Sequence, residues 1–334
     1  MKKNSPSGAN ALVIKDLNTR LVRQALKNAR VSTVRDLAGM TGLSTVTVAG
    51  IVQALVAGGA AREGELVPSN GGRPSRLYRF DEQQASVLVL FTREIEGRDT
   101  ACLRVADLYG QIVASENHPL EAGSLEAFEP FIDRMLVRFP SISALGFGLP
   151  GIEYGGTIVA LDYHKLVGAP IIDHFQSRYG IPVVFENDVN AAVLGRGRQE
   201  GAATSEAYLY FPRKYPPGSG IRIEGRLLKG SRHFAGEVGF LPLGIAWGDP
   251  NLTESIEASS SAAAQVIVSL AAVLDPESVV LFGEFLTPTH LAEIRIRCRS
   301  LMPEESLPQI SLTEDFTQDF QDGLVGLTLE LLDL

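Results

Sequence analysis

Glu186-Asn187-Asp188-Val189-Asn190-Ala191-Ala192 is the stretch on which the fold of this 334-residue chain depends. It joins a short run at 182–185, which reads as a strand, to a helix expected over 189–195. Asp188 therefore stands where a side-chain oxygen caps a helix, and capping is its plainest role. Working outward, the same order of elements occurs twice. Upstream, 86–91, 100–106 and 111–116 read as strands, the last two joined by the turn signal Asp107-Leu108-Tyr109-Gly110. A helix over 125–138, a strand over 144–148 and a helix over 169–179 follow. Downstream, 206–211, 221–224 and 226–228 read as strands, followed by a long helix within 254–274 and a strand over 278–282. Two successive sets of antiparallel strands, helix and parallel strand predict duplicated α/β lobes with a cleft between them.

Composition agrees with packed cores: 45% of residues are hydrophobic and 21% charged. Cys102 and Cys298 are the only cysteines, which excludes a disulfide framework and a Cys-rich zinc cluster and fits a reducing compartment. Lys2 and Lys3 precede polar residues, so no signal peptide is expected. The apolar stretch 261–274 is interrupted by Gln265 and Ser269 and reads as too short to span a bilayer. The expectation is a soluble, cytoplasmic protein with no membrane partner. The net charge of −9 hides an asymmetry. Residues 1–80 carry twelve Lys and Arg against four Asp and Glu, a net of +8, which leaves −17 on 81–334. A basic first module on an acidic body predicts a domain that meets phosphate joined to one that does not.

The basic module reads as three helices and a hairpin. Leu17, Leu21, Ala25 and Leu26 predict a first helix over 18–29. Ser32 and Thr33 suit the cap of a second helix carrying Val34, Leu37 and Ala38. Gly42 breaks that pattern, and Ser44 suits the cap of a third helix that buries Val48, Ile51, Val52 and Leu55. Two short helices joined by a glycine turn predict a helix-turn-helix whose second helix presents Ser44, Thr45 and Thr47 to the major groove of double-stranded DNA. A hairpin expected over 60–80, with its loop at 68–74, would carry Arg73 and Arg76 as a wing. Together these predict a winged helix-turn-helix over 1–80; a three-helix protein-interaction module is the plainer alternative.

Gly146-Phe147-Gly148-Leu149-Pro150-Gly151, Glu186-Asn187-Asp188-Val189-Asn190-Ala191-Ala192 and Ala235-Gly236-Glu237-Val238-Gly239 resemble, in order, signature stretches of the ROK family of repressors and sugar kinases. The Asn70-Gly71-Gly72-Arg73-Pro74 wing is similar to that of its repressor branch. The resemblance implies an actin-like, ribonuclease-H-like ATPase fold over 81–334, with lobe I about 81–195 plus a C-terminal helix, a shortened lobe II about 196–310, and sugar bound between them. It makes Asp188 the match to the kinases' general base, because a carboxylate within reach of a sugar hydroxyl can accept its proton. Asn187 and Glu237 would be further hydroxyl partners.

Departures from the family pattern point away from catalysis. Phe91-Thr92-Arg93-Glu94-Ile95-Glu96 holds the place of the first phosphate loop, without its glycine. Gly218-Ser219-Gly220 and Gly283-Glu284 are what remain of the second loop and the adenosine-side glycine pair. Phe240 replaces the zinc histidine, and Asp162 or Tyr163 stands near the family's sugar-contacting Asn. Only 36 positions separate Gly239 from Asp275. His118, His164, His174, His233 and His290 lack ligand spacing and are expected on surfaces or caps. The expectation is a non-catalytic transcriptional regulator, a repressor of carbohydrate-related genes without cofactor or metal. It would bind operator DNA as a homodimer and a neutral sugar at Asn187, Asp188 and Glu237; the alternative is a sugar kinase fused to a DNA-binding head.

Overall fold

The computed structural model describes residues 7–69, 72–120, 124–161, 166–213 and 215–332. The chain divides into two compact units. One holds the segment up to Ser86 with Asp107–Tyr109 and Leu332; the other holds Val87–Ala106 and Gly110–Leu331.

The first unit contains α1 (Ser7–Ala29), β1 (Val31–Thr33), α2 (Val34–Thr41), α3 (Thr45–Ala57), β2 (Ala61–Ser69) and β3 (Gly72–Phe80). α1 begins eleven residues before its expected start. Thr33 caps α2, its hydroxyl accepting from the Asp36 N–H at 3.2 Å. Gly42 ends α2 with φ 71, a left-handed conformation that costs glycine nothing. Ser44 then caps α3, and the two helices cross at 114°. Val22, Leu26, Leu37, Val48 and Val52 are fully buried between the three helices. β1, β3 and β2 form an antiparallel sheet in that order. The strands run further than expected: Ser69 pairs with Gly72, so the loop read at 68–74 shortens to Asn70 and Gly71, which lie outside the described residues. Pro68 does not prevent this, because β2 is an edge strand.

The second unit is built twice on one plan. Its first sheet takes the order β10 (Val183–Glu186), β7 (Ile142–Gly148), β4 (Ser86–Ile95), β5 (Arg98–Ala106), β6 (Ile112–Pro119). The second takes the order β13 (Arg226–Leu227), β12 (Gly218–Ile223), β11 (Glu206–Tyr210), β14 (Ser278–Phe282), β15 (Gln309–Leu312). Counted from its first strand, each sheet has the order 3-2-1-4-5. β10 pairs parallel to β7, and β11, β14 and β15 pair parallel in turn; the hairpin partners are antiparallel. Helices α4 (Glu129–Arg138) and α5 (Ile171–Tyr179) belong to the first lobe, whose core gathers Leu90, Leu103, Phe128, Phe147 and Phe175. α7 (Pro250–Glu254), α8 (Ile256–Leu274) and α9 (Pro288–Leu301) belong to the second, whose core gathers Leu209, Ile267, Leu281, Ile294 and Cys298. α8 has 19 residues and the hydropathy of a membrane span, so the 261–274 stretch belongs to a longer helix than its sequence suggested; half of it is buried in this core. α9, β15 and the hairpin β8 (Gly151–Tyr154) with β9 (Thr157–Leu161) were not legible as elements.

α6 (Asp188–Arg196) and α10 (Phe316–Glu330) cross with their backbones in contact. A Cβ at Gly323 would overlap the Ala191 carbonyl oxygen, and one at Gly195 the Asp319 carbonyl oxygen. α10 also explains the first signature stretch. A Cβ at Gly148 would stand 2.5 Å from the Phe320 ring, and one at Gly146 would overlap Thr328 Oγ1. α10 packs on β7 and α6 packs on β11 and β12, so this crossing joins the lobes.

Glu206 is buried beside this crossing, 3% exposed, with Oε2 accepting from Ser278 Oγ at 2.6 Å. Burial pushes its carboxyl above the ordinary range. Folding therefore favours its protonated form, and the protein loses stability as pH rises from the ordinary glutamate value through the raised one. Glu206→Gln should remove that loss. Its melting temperature relative to wild type should climb as pH rises above the ordinary glutamate value. A difference that stays constant with pH would contradict it.

Candidate functional site

β10 ends where α6 begins, and the junction is tightly hydrogen-bonded. Asn187 is the N-cap: its Oδ1 accepts from the N–H groups of Val189 at 2.9 Å and Asn190 at 3.2 Å, and its Nδ2 donates to the Gly151 carbonyl at 3.1 Å. Capping thus falls to Asn187, and α6 starts at Asp188 itself. The Asn187 carbonyl is committed to backbone donors, which leaves Asp188, half-buried at the mouth of the helix, as the carboxylate presented to the cleft. Asp188 Oδ1 also accepts from the Val189 N–H at 2.9 Å.

Glu186, which sequence reading left without a role, lies directly beneath. It is 4% exposed, and Oε1 accepts from the Asn187 N–H at 3.0 Å and from Asn190 Nδ2 at 3.1 Å. Its Oε2 meets Lys229 Nζ at 2.6 Å, from the loop after β13 in the other lobe. A buried carboxylate needs such a partner, because desolvating an unpaired charge is costly. The same loop bears His233, whose Nδ1 lies 2.6 Å from the Glu153 carbonyl and 3.6 Å from Glu153 Oε2. His233 therefore lines the cleft instead of a surface or cap. Glu237 follows Gly236, whose φ of +99 and close approach to the Ser219 carbonyl exclude a side chain. That approach brings Glu237 to the wall of the same cleft as Asp188.

These groups line one cavity of about 800 Å³ between the lobes. Asn187, Asp188 and Glu237, read together from the sequence, all face it; Asp162 and Tyr163 lie outside the described residues. Gly218-Ser219-Gly220, read as the remnant of a phosphate loop, lies in strand β12. Its Gly220 is required because a Cβ there would overlap the Val189 carbonyl of α6. At the first-loop position Phe91 is buried against Phe320, ring centroids 5.1 Å apart, and Arg93 Nη1 donates to Thr317 Oγ1 at 3.2 Å.

In the first unit, Ser44, Thr45 and Thr47 are all exposed at the start of α3. Ser44 Oγ accepts from the Thr47 N–H at 3.1 Å and lies 2.9 Å from Thr47 Oγ1, so both hydroxyls are partly committed to the cap. Val46, between them, is 81% exposed and was missed. It lies off the 48-51-52-55 stripe, which was signal enough. Arg76 pairs with Glu63 Oε2 at 3.3 Å and donates to the Gly64 carbonyl at 3.2 Å. The Arg73 side chain lies outside the described residues.

Residues 96–246 match the ROK family model. The chain carries a ROK family domain. A putative xylose repressor from Caldicellulosiruptor sp. is 24% identical over 245 residues, 70% of this chain and 60% of that protein. The chain thus spans about 60% of the length of the xylose-repressor relatives it matches. An N-acetyl-D-glucosamine kinase from Vibrio parahaemolyticus is 28% identical over 142 residues, 40% of this chain and 47% of the kinase. A solved ROK family transcriptional regulator, a homologue of the E. coli Mlc protein, superposes with a TM-score of 0.68 at 14% identity, covering 95% of this chain and 99% of its own. At that identity the likeness is one of fold, and the body has the mixed α/β, actin-like fold of ROK sugar kinases. The ROK domain does not fit the family's zinc: Phe240 is 73% exposed where a histidine is implied, and no group of three or more His, Cys, Asp or Glu ligands gathers among the described residues.

Proposed function

We propose that this protein is a DNA-binding repressor of sugar-related genes, with a winged helix-turn-helix over 1–80 and a non-catalytic, sugar-sensing ROK domain over 81–334. The carrying observation is the exposed first turn of α3, set at 114° to α2 on a module of net charge +8 ahead of the ROK domain. A helix held this way can enter the major groove by its N-terminal end. The xylose-repressor relatives support the same reading, and make D-xylose the first effector to try. Buried Phe91 and the Arg93–Thr317 bond at the first-loop position support a domain without kinase activity. A homodimer on paired half-sites is the expected operator complex.

Gel shifts on the gene's own upstream region test this reading; no retardation at low salt, where phosphate attraction is greatest, would sink it. Within the head, Arg73→Ala should weaken binding to all sequences by about tenfold and lower the salt slope by about 1. Val46→Ser, which removes an apolar group suited to a thymine methyl, should change preference among operators instead. Identical salt slopes and preferences for both variants and wild type would show the face misplaced. Asp188 in the cleft favours one second reading, a sugar kinase fused to a DNA-binding head. Sugar-dependent ADP release that Asp188→Asn abolishes would establish it.

A further inference from the structure

Two kinds of side chain line the cleft. Asp188, Glu237, Glu153, His233 and the Glu186–Lys229 pair are a set of hydroxyl partners. The others are rings. Phe316, at the start of α10, stacks on Tyr210 with centroids 4.9 Å apart at 21°, and on Phe282 at 5.2 Å and 18°. All three are half-buried and line the same cavity, as does Tyr215, 51% exposed. Tyr210 and Phe282 are tilted 31° to each other, with Phe316 stacked on both, and rings left partly open to a cavity form a platform, not a sealed core. At about 800 Å³ the cavity is in the upper part of the range that encloses drug-sized ligands, far more than one monosaccharide ring fills.

Charge narrows what fits the platform. Glu284 and Glu94 line the same cavity; Glu284 lies 4.0 Å from Arg213 Nε, and Arg93 is tied to Thr317. Phosphates in this cavity would meet these carboxylates and an arginine already ion-paired, which favours an uncharged ligand over a nucleotide, although a base could stack. An uncharged ring with a flat apolar face meets no such repulsion, and the negative faces of the aromatic rings attract its C–H edges.

We infer that the effector is an uncharged glycoside of two rings, the glycone hydrogen-bonded at Asp188 and Glu237 and the second ring stacked on Phe316, Tyr210 and Phe282. The inference rests on the sugar-sensing reading above. The second ring is either another pyranose, as in a disaccharide, or an arene, as in an aryl glycoside; both present a flat apolar face at glycosidic distance from the glycone.

Titration calorimetry on the full chain tests it with matched sets: D-xylose, xylobiose and p-nitrophenyl β-D-xyloside, then D-glucose, cellobiose and p-nitrophenyl β-D-glucoside, with adenosine and ATP as further ligands. In at least one set a two-ring member should bind at least about tenfold more tightly than its monosaccharide. A gain for the disaccharide alone identifies a pyranose as the second ring; a gain for the nitrophenyl glycoside alone identifies an arene. Phe316→Leu and Phe282→Leu keep apolar volume but lose the ring face. Each should cancel the gain while leaving the monosaccharide affinity unchanged, whereas Asp188→Asn should weaken every member of the set. The inference is overturned if no set shows the gain, if the gain survives both ring variants, or if adenosine or ATP binds on the platform instead. Operator retardation, measured in parallel, judges the repressor reading separately: DNA binding without any glycoside gain removes only the two-ring effector.

Discussion

Gly323→Ala should be the most damaging single-methyl change in the second unit, costing about 3 kcal/mol or more. In most helices alanine replaces glycine with a gain in helix propensity of nearly 1 kcal/mol. Here the new methyl would overlap the Ala191 carbonyl oxygen and stand 2.8 Å from the Gly195 nitrogen, both backbone atoms of α6. Neither can move without separating α6 from α10, the two helices that join the lobes. A loss of that size corresponds to a fall in melting temperature of roughly 6–12 °C for a domain this large. Gly326→Ala, one turn further along α10, is the control. Its methyl would meet only the Arg198 guanidinium, the end of a flexible side chain, so the cost should stay below about 1 kcal/mol. Thermal melts of the two variants decide the matter. Equal melting temperatures would show that the crossing does not depend on backbone contact.

Lys229→Met should destabilise by about 2–3 kcal/mol. This is less than the roughly 3–5 kcal/mol lost when a fully buried pair is broken, because Lys229 remains about one-third exposed. The loss comes from Glu186: once Lys229 Nζ is removed, a side chain 5% exposed loses its ion-pair partner and retains, among the described residues, the Asn187 N–H and the Asn190 amide to accept from. Pairing Lys229→Met with Glu186→Gln should recover much of the loss, since the neutral amide can still accept from Asn187 without carrying a buried charge. Urea denaturation of wild type, both single variants and the double variant gives the coupling energy directly. Additive losses would mean that the two side chains do not stabilise each other.

The head was legible because its signals are local. Gly42 and Ser44 announce a turn and a cap by their own backbone and hydroxyl chemistry, and Val48, Ile51, Val52 and Leu55 repeat at helical spacing. β1 was not legible, since three residues are too few to show a period; it exists by pairing with β3, some 46 positions away. The ROK domain's strands near its signature stretches were legible for the same reason. α9 was not, because its amphipathic pattern is diluted by three arginines and a glutamate, and only its packing on α8 makes it a helix.

Of the cleft, the sequence by itself, through the resemblance of their flanking residues, grouped Asn187, Asp188 and Glu237, which line one cavity in the structure. It did not divide the labour between them. Only the tertiary structure made Asn187 the cap and left Asp188 to the cleft, because that depends on where the Gly151 carbonyl and the α6 N–H groups lie. Glu186 and Lys229 are 43 positions apart, and Tyr210, Phe282 and Phe316 span more than a hundred. No local pattern links such residues. Their ion pair and ring stack arise only when two lobes, each folded on its own apolar core, are held together by the α6–α10 crossing and place distant side chains across one cavity.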